Sequence, residues 1–349
     1  MQDKTEYIFL SNGYRGGAST FIRDHINFLA RNNKNTSLID SHPKKTYHQL
    51  NKNVLIYKIG DRKKINKILN KGLNNKFLFI TNYAFLIKYY FLFKNFRKNN
   101  NKIVLTIHSG LEQLNLKNYF AAFFFSLIYQ NIDYLFFGSN SAKNWWLNKY
   151  PWMKIKNCNI FYNGIKPNKI IQKKIGKKIN IAFAGRLEKE HNPYFFLDIA
   201  KKILKDKKNI FFNIYGDGTL LKILKKKYKS KGIIFHGWVK KDKIFKKTDL
   251  LMITSPVHNY PYVALEAKSY GIPVISCSKG DISKIIKNGK DGFIRHTDNI
   301  GIMIKLVNKI LENYKYFSHN SYLRSFKFDI NDSCKKFWRK IKIENYNLR

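Results

Sequence analysis

Cysteine is scarce in this 349-residue chain: Cys158, Cys277 and Cys334 are odd in number and far apart. They form no Cys-x-x-Cys pair, which excludes a disulfide framework and a cysteine zinc site and points to a reduced, cytosolic setting. Acidic residues are few as well. Against 66 Lys and Arg stand 22 Asp and Glu, a formal net charge of +44. A field of that sign attracts nucleic acid, anionic lipid or anionic substrates. The lysines line nearly every polar face, as in KKILKDKK and KILKKKYKSK, and are not gathered in one arm. General composition therefore accounts for most of the charge, with attraction to a membrane surface as a further reading. No nucleic-acid reader motif accompanies the charge, so no specific nucleic-acid partner is expected. Long apolar runs are missing too. The longest aromatic stretch, FLFITNYAFLIKYYFLF, is interrupted by Asn82 and Lys88 and reads as strand, loop and helix, short of the about 20 apolar residues a bilayer span needs. The opening MQDKTEYIFL mixes charges with a short apolar run and does not read as a secretory signal.

What is present is enough for two domains with real cores: 44% of residues are hydrophobic and 16% aromatic. Apolar strands alternate with amphipathic helices from end to end, which predicts parallel sheets covered on both faces. In the first half the strands are YIFL, NVLIYKI, KFLFIT, KIVLTIH, DYLFFGS and CNIFYN. The helix after YIFL places Ala18, Ile22, Ile26 and Leu29 at helical spacing. After the turn-rich, lysine-rich NGIKPNKIIQKKIGKK the alternation starts afresh with NIAFAG, IFFNIYG, IIFHG, DLLMIT and IPVISC. The expected division is 1–168, 169–325, and a C-terminal helix over 326–349 that packs back on the first domain. In doubly wound sheets the binding crevice lies beyond the C-terminal strand ends. Each polar motif of this chain follows a strand.

GYRGG, Gly13 to Gly17, opens a helix after the first strand, so Gly16 and Gly17 allow close backbone approach to a ligand; a plain tight turn explains them equally well. LTIHSG ends a strand with His108, placed either to bond a sugar hydroxyl or to satisfy nearby backbone. In FAGRLEKEHNP, Arg186 can fork onto a diphosphate or form a surface ion pair, and Asn192-Pro193 starts a helix. Turn chemistry alone explains Asp217 in IYGDG. The stretch SPVHNYPYVALEAKSYGIPVIS is the most informative. His258, Asn259, Tyr260 and Pro261 lead into a helix whose first N–H groups suit phosphate, and Glu266 sits among small and apolar residues where a carboxylate can accept a ribose diol.

Taken together these motifs resemble the GT-B-fold glycosyltransferases, specifically the retaining family 4 group (glycosyl transferases group 1). AGRLEKEHNP looks like the family's G-R-L-x-x-x-K-x-P segment, IYGDGTL like its G-x-G-x-L turn, FHGWV like its F-x-G-x-V strand end, and YNGI like its N-G-[IV] motif. The long stretch from Ser255 is similar to the family's run with paired glutamates. The resemblance implies two Rossmann-like α/β domains facing a central cleft. It implies transfer of a sugar, with retention, from a nucleotide-sugar donor to a glycan or lipid-linked acceptor in surface polysaccharide or glycolipid synthesis. No metal cofactor is expected, in keeping with the lack of an Asp-x-Asp motif. Carried over by position, Arg186 contacts the diphosphate, Glu266 the ribose and His108 the transferring sugar. Gly16 and Gly17 make room for diphosphate or acceptor, and Asn259, Tyr260 and Pro261 offer N–H groups.

Two departures stand out. The family's first paired glutamate falls on His258, and its second phosphate-binding lysine falls on His191, with Lys189 close enough to substitute. An imidazole beside a diphosphate is expected to have its pKa raised and to serve as a cation. The catalytic set is then His108, Arg186 and His258. His258 keeps open a non-catalytic nucleotide-sugar-binding subunit, and a sugar-nucleotide epimerase is a further alternative. NYFAAFFFSLIYQ and IKYYFLFKNFRKNNNK read either as core helices or as a peripheral attachment to the inner face of an anionic membrane.

Overall fold

The computed structural model describes residues 5–11, 17–41, 50–59, 62–70, 75–108, 116–153, 158–168, 175–257 and 259–341. The chain forms two compact units. One is Met1–Asn163 with Asn331–Arg349, the other Gly164–Ile330. The first border falls five residues before the expected 168 and the second five residues after the expected 325. The reason is a short pairing. Ile165 bridges Asp329 in parallel, and the Ile165 N–H donates to the Phe328 carbonyl at 2.7 Å. Gly164 is required there, since a Cβ would stand 2.6 Å from the Ile330 Cα.

Among its described residues the first unit carries seven parallel strands: β1 Glu6–Ser11, β2 Asn35–Asp40, β3 Leu55–Lys58, β4 Lys76–Ile80, β5 Lys102–Ile107, β6 Tyr134–Phe137 and β7 Cys158–Ile160, in the order β3-β2-β1-β4-β5-β6-β7. The alternation in sequence missed β2. Its residues NTSLID are half polar, yet Thr36 and Ser37 are buried, and the Ser37 hydroxyl donates to Glu6 Oε1 at 3.0 Å. A parallel strand buried on both faces need not alternate. One face of the sheet is covered by helices that bring Leu86, Phe93, Phe96, Phe125 and Trp146 into the core. On the other face lie helix Gly17–Arg31, which buries Phe21, Ile22, His25 and Ile26, and helix Ile330–Lys340. Phe337 packs on Phe136 at 4.3 Å, and Trp338 meets Phe79 edge-on at 4.9 Å. The Ser333 hydroxyl donates to the Tyr162 carbonyl, and Lys340 Nζ to Ile160 O at 2.6 Å.

Among its described residues the second unit carries six parallel strands: β8 Ile179–Ala184, β9 Ile210–Tyr215, β10 Ile233–Gly237, β11 Leu250–Ile253, β12 Val274–Ser276 and β13 Gly292–Ile294, in the order β10-β9-β8-β11-β12-β13. The sequence reading stopped at the NGKDG turn and missed the three-residue β13. Helix Pro193–Asp206 starts as Asn192-Pro193 suggested: the Asn192 side chain accepts from the Phe195 N–H at 3.4 Å, with Pro193 at the first position. In this order the chain begins at β8, winds to one edge, and resumes at β11 on the other side. The neighbours β8 and β11 therefore form the switch point where such sheets bind ligands.

Candidate functional site

The loops leaving β8 and β11 are built to stay together. Thr254, directly after β11, points its hydroxyl at two carbonyls of the β8 loop, His191 O at 3.2 Å and Asn192 O at 2.9 Å. On the other side of β8 the strand ends are capped by glycines in a row. Gly185 N–H donates to Tyr215 O at 3.0 Å, and Gly216 N–H to Gly237 O at 2.8 Å. Gly216 has φ +142, and a Cβ on it would fall 1.8 Å from the Gly185 carbonyl oxygen. No other residue fits, so the strand ends present bare backbone. Asp217 serves the turn, accepting from the Gly218 N–H at 2.8 Å. Glu188 locks this turn to the β8 loop, accepting from Thr219 N–H at 2.9 Å and Thr219 Oγ1 at 2.5 Å. Those bonds hold its carboxyl below the usual range, since they favour the charged form. Glu188 was not singled out in the sequence. Its position in the G-R-L-x-x-x-K run gave no signal of this partner.

Arg186 follows Gly185 and is 70% exposed, with Nη2 at 3.1 Å from Glu190 Oε1 four residues on. The surface ion pair weighed in sequence is thus present, in the same loop that would meet a diphosphate. Lys189 and His191 lie in the short 3-10 turn Lys189–His191, Lys189 exposed and His191 half-buried. In the free protein the His191 pKa moves down, the reverse of the shift expected beside an anion. Burial is the main cause and the Arg186 charge adds to it, against partial opposition from Glu190 and Glu188. The imidazole therefore waits as a neutral group.

In the β11 loop, His258 lies outside the described residues. The Ser278 hydroxyl donates to Ser255 O at 2.7 Å, and Val257 bridges Lys279. Asn259 is half-buried and Tyr260 buried. Burial pushes the Tyr260 phenol above its ordinary range, with Asp281 adding and Arg324 opposing. Pro261 is the cap residue of helix Tyr262–Ser269 at φ −73, and no side chain caps that helix start. Glu266 is half-buried, and its Oε1 lies 3.3 Å from Lys241 Nζ, at the start of the helix Lys241–Lys247 that follows β10. Its carboxylate is an engaged one, not an exposed helix charge.

The same helix holds a group that sequence reasoning missed. Lys268 is fully buried, with Nζ 2.8 Å from Asp291 Oδ1 and 3.1 Å from Asp291 O. Arg324 Nε reaches Asp291 Oδ2 at 3.2 Å, and Ser321 Oγ donates to Asp291 O at 2.9 Å. Two cations around one carboxylate thus fix helix Tyr262–Ser269 to the turn before β13 and to helix Tyr314–Ser325. Burial lowers the Lys268 pKa to about 8, with Asp291 opposing and Arg324 assisting.

Of the residues expected in the first unit, Gly16 lies outside the described residues and Gly17 begins helix Gly17–Arg31. His108 ends β5. Its Nε2 is 3.2 Å from Thr106 Oγ1, and its ring stands edge-on to Phe21 at 5.0 Å and Phe161 at 5.3 Å. Burial lowers its pKa to about 4, so it is neutral near pH 7.

Comparison with known proteins first gives the class. HepE from Anabaena, solved with UDP and glucose, superposes with a TM-score of 0.77 at 14% identity, over 97% of this chain and 99% of that one. TarM superposes with a TM-score of 0.78 at 11% identity, over 98% of this chain and 99% of that one. The fold is α/β, of the two-domain GT-B type. Residues 165–324, nearly the whole second unit, match the family model described as glycosyl transferases group 1. Among curated proteins, an Escherichia coli UDP-Gal:alpha-D-GlcNAc-diphosphoundecaprenol alpha-1,3-galactosyltransferase is 28% identical over 165 residues, 44% of this chain and 42% of that protein. A Campylobacter jejuni undecaprenol-linked glycan alpha-1,4-N-acetyl-D-galactosaminyltransferase is 32% identical over 175 residues, 48% of each. The chain thus spans about half the length of the curated relatives it matches.

Proposed function

We propose that the chain is a glycosyltransferase that moves a sugar, with retention, from a nucleotide-sugar donor to a glycan or lipid-linked acceptor in surface polysaccharide or glycolipid synthesis. The observation that carries this is the switch point of the second unit. There Thr254 ties the β8 loop to the β11 loop, bare glycine backbone lines the neighbouring strand ends, and Arg186 stands largely exposed beside them. Two curated relatives whose names print sugar transfer to diphosphoundecaprenol-linked acceptors support the reaction class.

In this reading the leaving diphosphate draws the Arg186 guanidinium away from Glu190 and is held by Arg186, Lys189 and the N–H groups that open helix Tyr262–Ser269, with Asn259, Tyr260 and Pro261 shaping the approach. These charges do the work for which other transferases recruit a metal cation. His191 takes up a proton as the diphosphate arrives, because the anion raises a pKa that burial had lowered. Glu266, positioned by Lys241, accepts the ribose hydroxyls. His108, neutral in the first unit, and His258 are assigned to the transferring sugar on the family resemblance alone. We place the protein in the cytoplasm, peripheral at the inner membrane face, where a lipid-linked acceptor is found; no helix of the described residues is long and apolar enough to cross a bilayer. The test is incubation with a panel of nucleotide sugars and a polyprenol-diphosphate saccharide. Product must depend on both substrates. Donor hydrolysis unaffected by acceptor would refute the transferase reading.

A further inference from the structure

Helix Leu116–Ile128 is apolar on two opposite faces. Ala122, Phe125 and Ser126 are buried, Phe125 meeting Tyr83 at 5.6 Å and Trp146 at 5.3 Å. Phe120, Phe123, Phe124 and Leu127 are 59%, 40%, 54% and 53% exposed. Spacings of three and four residues put these four on one stripe. Trp152 continues it: it is 47% exposed, and its carbonyl accepts from the Tyr129 hydroxyl at 3.2 Å just past the helix end. The sequence left open whether this aromatic run is core or attachment surface; the helix has one buried and one exposed apolar face. One exposed leucine needs no explanation, but four large apolar side chains in a row mark an interaction site.

The charge pattern says what covers them. Residues 118 to 132 carry no charge, in a chain with 66 basic residues. Around the stripe the chain is cationic. Lys94 is exposed on helix Tyr90–Lys98 and exposed Lys149 closes the helix that leads to Trp152, while Arg97, whose Nη1 reaches Gln130 O at 3.4 Å, is paired with Asp133 at 3.3 Å. An apolar stripe set among cations matches an anionic bilayer, whose headgroups meet the bases while rings enter the acyl boundary. A second copy of this chain fits poorly, since two bodies of +44 repel.

We propose that the stripe Phe120, Phe123, Phe124, Leu127 with Trp152 is a membrane-insertion surface, lying in the plane of an anionic leaflet with Lys94 and Lys149 at headgroup level. This deepens the peripheral placement above and rests on it, but not on the donor chemistry. The test is co-sedimentation of the full chain with vesicles of phosphatidylglycerol and phosphatidylethanolamine, and with neutral phosphatidylcholine vesicles. The anionic vesicles should bind it, and the neutral ones weakly. The triple variant Phe120→Ser, Phe124→Ser, Leu127→Ser should lose at least roughly tenfold in apparent affinity for anionic vesicles, with sugar transfer to a water-soluble acceptor unchanged. In the unaltered chain, hydrogen exchange over 120–128 should slow on anionic vesicles. Unchanged binding by the triple variant, or exchange in this helix indifferent to vesicles, overturns the proposal. So does light scattering that shows a dimer which the triple variant dissolves, because the stripe is then a face between copies. Vesicle binding without any sugar transfer would sink the proposed activity and leave the stripe standing.

Discussion

Replacing Asp291 by asparagine should loosen the second unit far more than replacing Lys268 by methionine. The cluster holds two cations and one carboxylate, with Lys268 and Asp291 shielded almost completely at 0% and 2% exposure. Asp291→Asn leaves Lys268 and Arg324 facing each other without an anion, and breaking a buried pair in that way costs about 3–5 kcal/mol. Lys268→Met keeps the aliphatic stem and leaves Asp291 paired with Arg324 at 3.2 Å and with the Lys287 N–H at 2.9 Å, so the expected loss is about 1 kcal/mol. Hydrogen exchange over Tyr262–Ser269 and Gly292–Ile294 reads the difference. A loss of about 3 kcal/mol is roughly a hundredfold faster exchange by opening. The pH dependence gives a second reading. Lys268 titrates at about 8 in the fold against 10.5 unfolded, so from about pH 8 to 10.5 the unfolded chain holds a proton that the folded one has released. The contribution of this residue to stability therefore rises with pH across that window. The difference between the unaltered chain and Lys268→Met should move in favour of the unaltered chain there. Equal exchange in the two variants, or a difference flat from pH 8 to 10, would refute the reasoning.

Three further outcomes follow from the same geometry. Arg186→Ala, which removes an exposed guanidinium and no core contact, should leave the melting temperature nearly unchanged and cut kcat/KM for the nucleotide sugar roughly a hundredfold or more, as steady-state kinetics would show. Binding of a nucleoside diphosphate near pH 7 should take up protons, because His191 starts neutral and is charged by the ligand; calorimetry in buffers of different ionisation enthalpy measures this, and His191→Gln should abolish it. Trp338→Ala removes a fully buried indole that packs on Phe79 and Tyr7, and should destabilise the first unit by about 3–5 kcal/mol in denaturant titration.

The strands that could be read from the sequence were those with apolar runs bounded by turn residues, such as KFLFIT and DLLMIT, and the motifs that follow them do sit at strand ends. β2 escaped because burial on both faces removed the alternation, and its buried Ser37 is satisfied by Glu6 of the neighbouring strand. β13 escaped because three residues carry no period. Site residues close in sequence, such as Arg186, Glu190 and His191, could be anticipated as one loop. Contacts that depend on tertiary placement could not. Glu266 meets Lys241 25 positions earlier, Glu188 meets Thr219 from another strand end, and Lys268, which reads as an ordinary helix-surface lysine, is drawn inward by Asp291. The twofold character of helix Leu116–Ile128 was equally hidden, since an apolar run looks the same whether one face or both meet protein.

The most direct measurement is transfer of labelled sugar from UDP-galactose, UDP-N-acetylgalactosamine and UDP-glucose to a polyprenol-diphosphate saccharide, by the unaltered chain and by Glu266→Gln and Arg186→Ala. At least one donor should give acceptor-dependent, lipid-extractable label that both substitutions sharply reduce. Label that reaches the acceptor equally with all three proteins would contradict a donor site on the loops after β8 and β11.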